Sequence, residues 1–382
     1  MSRTSPLASA RSVLVLTVVH HPEDARIRHR EIAALLDAGW HVTYAAPFSG
    51  YDLEVPGPVR TGQGDLRHRD VRRATGRRRL AALLHAHRIL RTLGPRHDVM
   101  VIHDPELLLA AALLPGEQVV WDVHEDTAAA IQAKEWVPGP LRRAVAAAVH
   151  GAEQLAERRF PLLLAEYQYQ DRFRRRHVVV PNAVSVPAAP APPGTGRVVY
   201  LGTVTMERGA AEMVEVADAL HTRTRGQVTL EVVGPAHGRA ADLLADAARR
   251  GHLRWHGFVP SSRALAMLDG ALAGLSLLQD LPNYRHSMPT KILEYMAHGV
   301  PVVTTPLPLA QTAVRGAGIV VPFADPDAAV EAILRLREDP DLAARLGAAG
   351  HGVASESYDW AQLSEGFVGT LAALATSPPK NR

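Results

Sequence analysis

The sequence predicts an α/β protein made of two doubly wound, Rossmann-like domains. Three observations point there. Short runs of Val, Ile and Leu alternate with longer segments of helical period. The alternation breaks at a Pro- and Ala-rich stretch and then restarts. The chain of 382 residues suits two such domains better than one.

Residues 13–19 read as a first buried strand. The run is too short, and too soon followed by a charged helical segment, for a signal peptide. A helix is expected over 27–38, with Asp24 as its N-cap and Gly39 just past its end. Strands follow at 41–46, stopped by Pro47, and at 99–103, 118–123 and 178–180. Strands alternating with helices imply a parallel sheet covered on both faces. Residues 183–196 have no hydrophobic period and read as a flexible linker. Beyond them come strands at 197–201, 228–233, 253–256, 274–278 and 300–304, and helices at 210–220, 289–298 and 324–337. The expected organisation is a first domain over 1–182, the linker, a second domain over 197–356, and a C-terminal helix in 357–382 returning to the first domain. Ligands in such folds bind at the carboxyl ends of strands, and a cleft between two units is the natural site.

Composition excludes some classes. There is no cysteine, so neither a disulfide scaffold nor a thiolate zinc site is available. This fits a cytoplasmic protein. No apolar stretch reaches the length of a membrane span. The formal charge is +3, carried almost wholly by arginine; the lysines are Lys134, Lys291 and Lys380. The cations are scattered and no reading module is visible, so no nucleic-acid partner is expected. Arg72, Arg73, Arg77, Arg78 and Arg79 precede Leu80, Leu83, Leu84 and Leu90 at helical spacing. That pattern suits peripheral contact with an anionic inner membrane face, or simply a helix with a solvated basic end.

The segment HSMPTKILEYM carries the most chemistry. Pro289 fits the first position of a helix, which leaves the N–H groups of Thr290, Lys291 and Ile292 unpaired and facing an anion. Glu294, one turn on, could accept two hydroxyl hydrogen bonds, as from a ribose. The plainer alternative is a Pro-initiated helix with a surface Glu. A second phosphate candidate is YLGTVTMERG, where Gly202 permits close backbone approach and Arg208 can bind two phosphate oxygens. Gly234 ends another strand, and Gly257, Phe258 and Val259 form an apolar turn suited to a flat base.

Three strands of the first domain end in polar clusters. These are His20, Asp24 and Arg26; His103 and Asp104; and His124, Glu125 and Asp126. Together they suggest one polar wall for substrate contacts or proton traffic. Tight metal-ligand spacing is missing, so no metal is expected. The pairs Asp325/Asp327 and Asp339/Asp341 each frame a proline and read as helix caps.

These segments, taken in order over nearly the whole chain, resemble the retaining GT-B glycosyltransferases of the group-1, glycogen-synthase-like superfamily, in its Pro-x-Lys-x-x-Glu-Tyr branch. The resemblance implies a nucleotide-sugar donor, UDP-linked by preference and GDP-linked as the next choice, transferred with retention to an acceptor hydroxyl. It implies no cofactor and no metal. It places the donor on the second domain, against Gly202, Thr203, Arg208, Gly234, Phe258, Val259, His286, Ser287, Met288, Pro289, Thr290, Lys291 and Glu294. It places the acceptor on the first, against His20, Asp24, His103, Asp104 and Glu125, with His124, Arg208 and Glu294 as the catalytic set. Two departures stand out. The family motif has two glutamates with seven residues between them; Glu294 matches the second and His286 stands at the first. The family's basic pair falls on Thr203 and Arg208, so its first cation is missing. The acceptor stays open among a polysaccharide, a lipid-linked sugar and a natural product, and oligomeric state is not indicated. Two other readings are an epimerase using Glu125 and Asp126 as acid and base, and a non-catalytic sugar-nucleotide binder.

Overall fold

The computed structural model describes residues 11–61, 63–112, 114, 118–124, 126–127 and 139–376. Contacts divide the chain into two compact units, 1–181 with 361–382, and 182–360.

The first unit is built on an eight-stranded sheet. Its strands are β1 (Ser12–Leu16), β2 (His41–Ala46), β3 (Val59–Thr61), β4 (Gly64–Asp70), β5 (Val99–Ile102), β6 (Val119–Val123), β7 (Leu162–Leu164) and β8 (Val178–Val179). They lie in the order β3-β4-β2-β1-β5-β6-β7-β8, and only β3 is antiparallel to its neighbour. The core strands β1, β5 and β6 are buried on both faces, which is why they read as apolar runs, broken in β6 only by Asp122. Between β1 and β2 the chain opens a π-helical turn, Ile27–Ile32, that continues as helix α1 (Ala33–Asp37). Asp24 accepts from the N–H groups of Arg26 and Ile27, the capping role expected of it. Helix α2 (Arg79–Leu93) buries Ala82, Ala86, Ile89 and Leu90 and leaves Leu80 and Leu84 exposed. Helices α3 (Leu107–Ala111) and α4 (Gly139–Arg159) follow.

The second unit has a six-stranded, wholly parallel sheet. Its strands are β9 (Arg197–Leu201), β10 (Thr229–Val233), β11 (Leu253–Gly257), β12 (Ala273–Ser276), β13 (Val302–Thr304) and β14 (Gly318–Val320), in the order β11-β10-β9-β12-β13-β14. The winding reverses between β9 and β12, and this is the switch point of the sheet. The helices are α5 (Ala210–Thr224), α6 (Arg239–Arg249), α7 (Ser261–Ala266), α8 (Pro282–Arg285), α9 (Thr290–Ala297), α10 (Pro308–Ala313), α11 (Pro326–Glu338) and α12 (Pro340–Ser357). Helix α13 (Trp360–Thr376), which ends the described chain, belongs from Ala361 onward to the first unit. Asp325 and Asp339 cap α11 and α12 by accepting from Ala328 N and Leu342 N, as the sequence implied. Among the described residues no helix is long and apolar enough to cross a membrane.

Several elements differ from expectation. Strand β1 stops at Leu16, because the next residues turn toward Asp104, which accepts from Thr17 Oγ1 and Val18 N. Strands β3, β4, β7 and β14 were not foreseen. Segment 183–196 is not a free linker. Val184 bridges to Asp359, Pro187 O accepts from His351, and Gly194 lies against Gly270 O.

Two glycines let the loops beyond β9 and β10 meet. Gly202 and Gly234 have φ of +105° and +149°, and a Cβ on Gly234 would sit 2.1 Å from Gly202 O. Backbone bonds from Gly202 N to Val233 O and from Val204 N to Pro235 O then lock the loops together. Gly234→Ala is therefore expected to destabilise the protein by about 2–3 kcal/mol. Urea denaturation followed by circular dichroism measures this.

Candidate functional site

In the first unit, three neighbouring strands, β1, β5 and β6, deliver their polar residues to one sheet edge. The centre of the cluster is Asp122, a fully buried carboxylate on β6. Arg26 grips it with two bonds, Nε to Oδ2 at 2.9 Å and Nη2 to Oδ1 at 2.8 Å, and donates a third to Val180 O. His103 Nδ1 and His124 Nδ1 also reach Asp122 Oδ2, at 3.2 and 3.0 Å. Burial alone would raise the Asp122 pKa, but Arg26 and the two imidazoles overcome it and hold the carboxyl well below its usual range.

The hydrogen bonds fix tautomers. An ionised carboxylate only accepts, so the Nδ1 of His124 carries a proton. Its Nε2 lies 2.8 Å from His20 Nε2, so one of these two nitrogens donates to the other. His20 is flanked in turn by Asp104 at 3.3 Å and Asp24 at 3.7 Å. Burial lowers the His103 pKa, so that ring is neutral near pH 7. Its Nε2 faces Glu31 Oε2 at 3.7 Å. Glu31 is also buried; that burial, reinforced by the charge of Asp122, pushes its carboxyl well up, against the opposing pull of Arg26. The result is an ordered chain, Asp104–His20–His124–Asp122–His103.

This arrangement corrects part of the sequence reading. His103 and Asp104 are only 2 % and 1 % exposed, so they lie beneath the partly exposed surface of the cluster. His20 and His124 are the partly exposed pair. Glu125 lies outside the described residues. Asp122 and Glu31 were missed. One signal was available: an aspartate inside the apolar strand VVWDV needs a buried cationic partner. His103, Asp122 and His124 have the spacing of a metal site. Arg26 donates to both oxygens of the same carboxylate.

In the second unit the sequence-named residues gather where β9 ends. Arg208, in a short turn before α5, donates to Thr203 O, which also accepts from Tyr200. Gly209 follows at φ +87°, and a Cβ there would strike Leu277 O at 2.3 Å, so this entry to α5 requires glycine. Helix α9 is anchored by Tyr295. Its ring lies where a Gly274 side chain would be; its hydroxyl donates to Leu275 O and accepts from Leu201 N. That ties the helix to β12 and β9 at the switch point.

The start of α9 differs slightly from expectation. Pro289 is the N-cap and not the first helical residue, and Ile292 N–H is satisfied by Pro289 O. The free donors at this end are therefore those of Thr290 and Lys291. Ser287 is half-buried and Met288 buried just before the turn, and Glu294 is half-buried. The Lys291 side chain is buried, with Nζ 3.6 Å from the centre of the Tyr200 ring. Burial, and then the charge of Arg208, hold its amine well below the ordinary lysine value, while Glu294 acts in the opposite direction. Not every named residue joins this set. Phe258 lies past the edge strand β11, two strands from β9, and is 63 % exposed; Val259 follows it half-buried. His286 is exposed at the end of α8.

Residues 195–339 match the family model of group 1 glycosyl transferases. The second unit is a group 1 glycosyl transferase domain. No curated protein sequence matches the chain. Among solved structures, sucrose-phosphate synthase from Thermosynechococcus elongatus superposes with a TM-score of 0.74 at 15% identity, covering 96% of this chain and 99% of that one. WaaG, a glycosyltransferase involved in lipopolysaccharide biosynthesis, gives 0.66 at 16% identity over 94% and 99%. Anabaena HepE in complex with UDP gives 0.62 at 13% identity over 95% and 100%. The fold is accordingly GT-B, with the group 1 domain holding the Gly202, Arg208 and α9 constellation.

Two stability experiments test the first unit's cluster. Asp122→Asn leaves Arg26 buried without its main counter-charge and is expected to cost about 3 kcal/mol in urea denaturation. Glu31 has its folded pKa raised, so the folded state binds its proton more tightly than the unfolded chain does. Its contribution is favourable at low pH and fades as pH rises above the ordinary glutamate range. In thermal melts, Glu31→Gln should match the wild type near pH 5 and gain on it progressively toward pH 8.

Proposed function

We propose that the protein is a glycosyltransferase that moves a sugar from a nucleoside diphosphate, UDP by preference, to an acceptor hydroxyl with retention and without a metal. The observation that carries this reading is the meeting of Gly202, Arg208, Lys291 and the start of α9 at the switch point of the group 1 domain. Cationic groups, free backbone donors and a glycine without a side chain suit a diphosphate. HepE structures hold UDP, and one holds UDP and glucose, which favours uridine as the base here.

In this reading the acceptor oxygen bonds to the anomeric carbon on the face from which the diphosphate departs. The breaking bond is the one from that carbon to the phosphate oxygen, and the departing phosphate takes the acceptor's proton. Arg208 and the α9 end stabilise the charge that develops on the leaving group. Glu294 accepts from the ribose hydroxyls. His124, held in one tautomer by Asp122, acts on the sugar as the resemblance implies. In this reading the first unit's carboxylate–histidine set works as a hydrogen-bonded group.

Thermal shift against UDP, GDP, ADP and TDP tests the donor half, with UDP expected to stabilise most. Arg208→Ala and Glu294→Ala should each abolish that shift; unchanged shifts in both would remove the site. His124→Ala should bind UDP normally and lower turnover about a hundredfold. Proton NMR of the product reads the anomeric outcome, and an inverted product would overturn retention. Incubation of a UDP-sugar without acceptor should leave its sugar configuration unchanged.

A further inference from the structure

Lys291 is a charged residue type in a place that offers it no counter-charge at close range. Its side chain runs from the first turn of α9 back over β9, and a Cβ built on Gly202 would lie 3.9 Å from both Cε and Nζ. The amine is buried and has no hydrogen-bond partner. The groups around it are few. Tyr200 of β9 presents its ring face. Arg208, from the turn before α5, adds a positive charge, and Glu294, on the next turn of α9, adds a negative one. The Tyr295 hydroxyl is engaged by Leu201 and Leu275. Strands β12 and β13, packed against α9, carry no ionisable side chain, and His351 of α12 is turned to Pro187 O. A ring face is a weak substitute for water around an ammonium, so the buried amine beside Arg208 favours its neutral form. A diphosphate arriving over Gly202 reverses that balance. Thr203 supplies no cation on the same loop.

We propose that Lys291 is the second cation of the anion site, neutral in the ligand-free protein and converted to ammonium by one proton taken from solvent when a nucleoside diphosphate binds over Gly202. This rests on the donor-site reading above. The sign follows directly. Binding takes up a proton, so affinity rises as pH falls toward the amine's pKa in the free protein, and release of the nucleotide returns the proton. Arg208 stays charged throughout and marks the site; Lys291 becomes charged only when the site is filled.

Titration calorimetry with UDP at pH 8, repeated in Hepes and in Tris, counts the protons exchanged. At that pH the terminal phosphate of UDP, with its last ionisation near about 6, is fully deprotonated and takes up none itself. The wild type is expected to take up close to one proton per UDP. Lys291→Met should take up none and bind UDP roughly 30-fold more weakly or worse. Lys291→Arg, charged from the start, should bind within a few-fold of wild type and also take up none. Ligand-free Lys291→Met should melt no lower than wild type, since it loses only an unpaired amine. UDP binding with the same proton count in wild type and Lys291→Met would overturn the role of Lys291 and leave the site standing. Failure of UDP, GDP, ADP and TDP all to bind would instead overturn the donor site itself, and this inference with it.

Discussion

A parallel sheet sends every strand out at the same edge. That constraint organises both units. All six strands of the second sheet, and all but β3 of the first, run one way. The residues that follow each strand are therefore brought side by side although they are far apart in sequence. His20, His103 and His124 meet this way at the ends of β1, β5 and β6. Gly202 and Gly234 meet this way at the ends of β9 and β10. Backbone groups at such an edge are not consumed by the sheet, so they can be spent on side chains or on ligands.

The two units handle buried charge in opposite manners. The first surrounds Asp122 with Arg26, His103 and His124 until the carboxylate is fully answered. Such a cluster is a rigid fixture whose members hold one another's protonation states. The second unit leaves the buried Lys291 amine beside the Arg208 cation, with Glu294 acting in the opposite direction. The first arrangement suits a group that must point one way; the second suits an anion that comes and goes.

The architecture was legible because buried parallel strands read as apolar runs: residues 13–16 and 99–102 are unbroken ones, and 119–123 is interrupted only by Asp122. The strands that escaped notice lack this signature. β4, GDLRHRD, alternates buried and exposed positions with charges on its open face, and β14 is three half-buried or exposed residues at a sheet edge. The Pro- and Ala-rich stretch looked like a linker because proline hides periodicity, yet Pro190 fits against Gly299 and Pro193 near Gly347. For the sites, glycine, proline and histidine positions could be read from local chain chemistry. What could not be read was depth. Nothing adjacent to His103 or Asp104 in sequence says that they lie under His20 and His124. Nothing near Lys291 says that its amine folds back over Tyr200, because the ring arrives from a strand that precedes the helix by nearly ninety residues.

The π-helical turn at Ile27–Ile32 has a role in this geometry. On an α-helix, residues five apart point about 140° away from one another. Arg26 and Glu31 are five apart, yet Nε and Oε1 are 3.0 Å from each other, and Glu31 N–H donates to Arg26 O. The wider turn makes room for one additional residue and lets both side chains face Asp122 and His103. The length of this segment is thus as much a part of the site as its residue types. A chain one residue shorter here could keep every side chain named above and still form a regular helix. It would then aim its guanidinium elsewhere, and descendants carrying that deletion would keep the fold and lose the means of orienting His124.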